Sequence, residues 1–163
     1  MKFNIQKLQS THQRWLTTIL AVAALSLTST SCLTNKEERE VPIEERVDSF
    51  ATAYFNWRFH KAIKYVTPES EKWIRYAASQ VHKADLELIN SQEEGASIEI
   101  EDIEHTDDST ANVRIKVSNY MRMDTIGKAG RMIDTAHFTL LARYQQSQRL
   151  WMIMLTELPS HKK

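Results

Sequence analysis

The side chains best suited to proton chemistry are His137, Tyr120 and Tyr54, widely separated along 163 residues. A buried histidine beside one carboxylate works as a general base when its pKa lies near the working pH. Asp102 and Asp134 stand on or beside segments of alternating polarity, so they are the carboxylates such a histidine would use. Trp57 and Trp73 would supply apolar walls to a pocket shared by His137 and the two tyrosines. The competing account is plain packing: core aromatics and a hydrogen-bonded histidine. Other chemistries have less to build on. Six histidines are scattered with no HExxH spacing, so neither a metal nor a cofactor is expected. Glu99, Glu101, Asp102, Glu104, Asp107 and Asp108 are dense in acid but lack the order of a calcium loop. Strand alternation, moreover, is expected to send Glu99 and Glu101 away from Asp102. The stretch "GKAGR" is not a phosphate loop, which needs GxxxxGK[ST] between a strand and a helix, and it reads as a hairpin connection.

The elements that must position these residues follow from periodicity. Ile43, Val47, Phe50, Tyr54 and Trp57 recur at steps of four and three, one stripe of an amphipathic helix. Phe59, Ala62, Ile63 and Val66 continue at a changed angle, which predicts a break near residues 56–58. Thr67-Pro68-Glu69 has the form of a helix start, and Ile74, Ala77, Val81, Ala84 and Leu88 extend that helix to Asn90.

From Ala96 the period becomes two. A turn centred on Asp107-Asp108 pairs Ile98 with Val117, Glu99 with Lys116, Ile100 with Ile115 and Glu101 with Arg114. Apolar then faces apolar and acid faces base, and a one-residue slip would exchange the faces. A second hairpin centred on Gln146-Ser147 puts Phe138, Leu140, Ala142, Trp151, Ile153 and Leu155 on one apolar face, the expected core. Its other face carries His137, Thr139, Leu141, Met152 and Met154, half apolar, so a cavity, a partner chain or the helices are expected to cover it. Five of the six methionines fall in this half of the chain, and methionine-rich surfaces adapt to varied partners. Helices first and an antiparallel meander after them is an α+β pattern, with amino-terminal helices packed on a curved sheet.

The stretch "FATAYFNWRFHKAIKYVTPES" resembles the amino-terminal helices of nuclear transport factor 2-like (cystatin-like) domains. The resemblance covers residues 41–159 and implies a curved meander enclosing a conical pocket. Trp57-Arg58-Phe59 stands where that family commonly has a glycine-aspartate bend. Enzymes of the superfamily, such as ketosteroid isomerase and scytalone dehydratase, use acids, histidines or tyrosines inside the cone. No family motif fixes such residues here.

The amino-terminal part concerns address. Three bases and no acid occur before residue 32, and "WLTTILAVAALSL" is too short an apolar run to span a bilayer. It has the form of a secretory signal's apolar region; a buried helix is the alternative. Cys32 is the chain's one cysteine, behind "TSTS" and ahead of "NKEERE". One unpaired thiol is a hazard in an oxidising compartment unless the sulfur is the attachment point for lipid. These residues resemble the lipobox of Bacteroidota-type bacterial lipoproteins, with Ser29 where leucine is commoner. The expected organisation is a signal peptide over 1–31, lipidated Cys32 and a charged tether over 32–40, a domain over 41–159 and a tail over 160–163.

Beyond Cys32 there are 18 bases against 21 acids, a mildly acidic balance that excludes an electrostatic footprint for nucleic acid. The expected protein is therefore a lipoprotein of the bacterial cell envelope, anchored in the outer membrane, with display on the outer surface as one orientation. Its expected role is noncatalytic: binding a small apolar ligand, or an envelope protein or second copy through the sheet. The alternative is a pocket enzyme of isomerase, dehydratase or hydrolase class.

Overall fold

The computed structural model describes residues 40–122 and 130–160. Cys32 with its leader and most of "GKAGR" lie outside the described residues. Helix α1 spans Ile43–Phe55, with Glu44 and Glu45 at the positive end of its dipole. Its predicted stripe is buried: Val47 and Phe50 completely, Ile43 and Tyr54 nearly so. The predicted break is real. Trp57 adopts φ 59°, a left-handed conformation costly for a non-glycine residue, and α2 (Phe59–Ala62) leaves at a new angle. Asn56 fastens the break: its amide donates to the carbonyls of Thr52 (2.9 Å) and Ala96 (3.0 Å), and its oxygen accepts from the Ala96 N–H (2.9 Å). Gly95 leaves the room, since a Cβ there would strike the Asn56 carboxamide.

The start expected at Thr67-Pro68-Glu69 is a 3-10 turn over Pro68–Ser70, followed by α3, Glu71–Ser79. Thr67 does not cap it. Its hydroxyl meets Ser70 Oγ at 2.8 Å, and that oxygen accepts from the Leu155 N–H at 2.8 Å, tying the helix start to the sheet. The single helix expected to Asn90 is two, because the chain leaves helical geometry at His82 before α4, Lys83–Asn90. Asp85 causes the restart: its carboxylate accepts from the His82 N–H at 2.9 Å, the role of an acid in a first helical turn. Ala84 consequently faces solvent and Asp85 is buried.

The sheet is a four-stranded antiparallel meander: β1 (Ser97–Asp107), β2 (Thr110–Arg122), β3 (Arg131–Gln145) and β4 (Leu150–Met154). Three expected pairs of the first hairpin are observed, Ile98 with Val117, Glu99 with Lys116 and Ile100 with Ile115. The fourth is not. A bulge at Glu101 makes Asp102 the partner of Arg114, and the turn moves to Asp108-Ser109. The bulge keeps Ile103 in phase with Ile98 and Ile100, the requirement that outweighs regular pairing. In the second hairpin the register is two residues from expectation, Leu141 opposite Met154, because its turn is longer. An even shift preserves the faces, so Phe138, Leu140, Ala142, Trp151, Ile153 and Leu155 are all buried.

The helices pack on this face, giving the α+β architecture. Strands β1 and β4 are opposite edges, roughly 14 Å apart in a flat sheet at ~4.8 Å per strand. Yet the rings of His105 and Trp151 meet at 5.6 Å, so the sheet curls strongly. The β4 edge is covered by parallel bridges from Val41 and Val66.

Candidate ligand-binding site

Curling leaves a cavity of about 350 Å³ between α1, α2 and the sheet, closed partly by Leu158, Pro159 and Ser160. Its wall is aromatic. Phe55 from α1 meets Phe138 of β3 at 4.7 Å and Tyr120 of β2 at 5.5 Å, while Tyr54 and Trp57 both approach Phe59. Such ring pairs are rigid and present apolar surface at little entropic cost.

One backbone irregularity delivers Tyr120 here. Val113, Ile115 and Val117 alternate inward along β2, which by strict alternation would bring Asn119 inside and Tyr120 outside. Asn119 instead adopts φ 53°, a conformation asparagine tolerates better than most residues, and its side-chain amide donates to the Glu94 carbonyl at 2.7 Å. The phase reverses, and Tyr120 is 3% exposed.

Three of the residues singled out from the sequence therefore share the cavity: Tyr54, Trp57 and Tyr120. Two are elsewhere. His137 points from the opposite face of the sheet, solvent-exposed, its Nδ1 2.9 Å from the Glu101 carboxylate. Alternation forces this, since Phe138 beside it faces the core. Trp73 on α3 is half-buried, with Lys72 over its ring, and does not line the cavity. Nor do the proposed carboxylate partners reach it: Asp102 is paired with Arg114 at 2.8 Å and Asp134 is exposed.

Burial pushes the phenols of Tyr54 and Tyr120 above their ordinary pKa, so both stay protonated at neutral pH. The Tyr120 hydroxyl is buried with no hydrogen-bond partner. Among the described residues no histidine or carboxylate lines the cavity; Arg122 is the one charged side chain there. Phe55, Phe59, Met121 and Phe138 were not singled out as site residues. Phe55 and Phe59 could have been, since both flank the predicted break.

The outer face carries a charge ladder. Lys116 donates to Glu99 at 2.8 Å, Arg114 to Asp102, and His137 faces Glu101. The bulge brings Asp102 to the same face as Glu99 and Glu101, contrary to the expectation from alternation. No group of three or more acids, histidines or cysteines among the described residues could hold a metal. Of the second hairpin's half-apolar face, Met152 is covered by Arg46, whose Nη2 lies 3.1 Å from the sulfur, while His137 and Thr139 remain exposed.

No family model matches the sequence, and no curated protein matches it. Among solved structures, the chain is similar to a ketosteroid isomerase-like protein from Erwinia carotovora atroseptica, with 16% identity and a TM-score of 0.44 over 72% of this chain and 92% of that one. It is also similar to an Ntf2-like protein involved in plasmid conjugation, with 11% identity and a TM-score of 0.36. That match covers 72% of this chain and 46% of the other, less than half of its length.

Proposed function

We propose that this chain is a lipid-anchored protein of the bacterial outer membrane whose nuclear transport factor 2-like domain binds a small, largely apolar ligand in the aromatic cavity. One observation carries the binding reading: an aromatic-walled space of about 350 Å³, the size of a small-molecule pocket, lined by phenols that stay protonated. A pocket enzyme would need a titratable group poised near neutral pH within the same space. The groups that could have served, His137 and Asp102, are engaged on the far side of the sheet. The anchoring reading rests on the residues around Cys32: two or three acyl chains on that sulfur and its amino terminus hold a protein durably, at ~0.8 kcal/mol per buried methylene.

Native mass spectrometry of the full chain with dodecan-1-ol tests the cavity. One bound alcohol per chain is expected, and Phe138→Trp, which grows a ring into the space, should lose it while retaining native circular dichroism. Equal adducts in both proteins would place the alcohol elsewhere. For the anchor, Cys32→Ala should lose the acyl mass and its partition into detergent; an unmodified thiol in the native protein would refute it.

A further inference from the structure

A second cavity of about 300 Å³ adjoins the first, between the end of α1, α4 and the start of β1. Phe55, Trp57 and Met121 line both. Phe55 and Met121 belong to the packed interior, each almost fully buried. Trp57 differs: it stands on the turn between α1 and α2, half-buried, in the left-handed conformation that favours glycine. Its indole crosses to the sheet, where Nε1 donates to the Met121 carbonyl at 3.3 Å, and its ring lies 5.7 Å from that of Phe59.

We propose that Trp57 is the specificity-determining residue of the binding site: its indole is a partition that stops the aromatic cavity short of the second one and so sets the greatest length of ligand accepted. This rests on the cavity-binding reading above. The two spaces differ in lining. The first is aromatic, whereas Asn56, Arg58, Asn90 and Gln92 contribute to the second. Without the indole, the site would become one continuous channel with an apolar front and a polar back, suited to a longer chain ending in a polar head. A glycine at 57 removes the wall and relieves the backbone, so the turn fastened by Asn56 keeps its course.

The test is native mass spectrometry of the full chain with primary alcohols from hexan-1-ol to hexadecan-1-ol. While each added methylene is buried, affinity rises about fourfold per carbon, and the rise stops where the cavity ends. Trp57→Gly is expected to move that stopping point to longer chains by several carbons. Trp57→Phe, a smaller ring, moves it less in the same direction and serves equally should the glycine variant fail to fold. An unchanged stopping point in a folded variant overturns the partition while leaving cavity binding intact. No retained alcohol in the unmodified chain overturns both.

Discussion

At the scale of single residues, two left-handed positions do most to shape the site. Trp57 turns the chain out of α1, and Asn119 reverses the phase of β2 so that Tyr120 enters the cavity. The first was legible from its surroundings: the apolar stripe changes angle there. The second was not, because the run from Val113 to Val117 gives no sign that alternation stops two residues later. Tyr54 offers a direct check of burial. Its phenol would ionise near pH 10 in the unfolded chain. In the folded chain burial raises that value, so the folded state holds its proton longer. Stability from this group is present below about pH 10 and falls as the pH rises further. Tyr54→Phe should therefore flatten the alkaline limb of a urea-midpoint profile; a limb unchanged by the substitution would show that the phenol is solvated.

At the scale of elements, face assignments were readable and exact positions were not. The period-two pattern separates Phe138 from His137 correctly, but locating the pocket from it required knowing which face the helices cover. Register held for Ile98, Glu99 and Ile100 because apolar and charged pairs agree there. It failed at Glu101, where keeping Ile103 inward required an extra residue. The break before α4 was hidden because Val81 and Ala84 keep the helical period across it, and its cause is partly a contact distant in sequence. Asp85 is 2% exposed; besides capping its own helix, it accepts the Gly130 N–H at 2.7 Å, tying α4 to the start of β3. Asp85→Ala should cost about 1–3 kcal/mol by orphaning two backbone donors, with Asp85→Asn intermediate, measured by chemical denaturation. A loss below a few tenths of a kcal/mol would mean water replaces the carboxylate.

At the scale of the whole molecule, the curled sheet divides the domain into two chemically distinct sides. The concave side is an aromatic cavity under the helices; the convex side is a ladder of two ion pairs and a histidine–carboxylate contact open to solvent, worth little to stability because water screens it. The sequence contained both sides as alternating letters, but only closure of the meander says which side encloses space. A ligand that suits the aromatic side should leave the charged side untouched. Two-dimensional NMR of the full chain during titration with dodecan-1-ol measures this directly. The account predicts saturable shifts in the ring resonances of Tyr54, Tyr120 and Phe138 and none at the His137 imidazole. Shifts confined to His137 and its neighbours, with the ring resonances still, would contradict it.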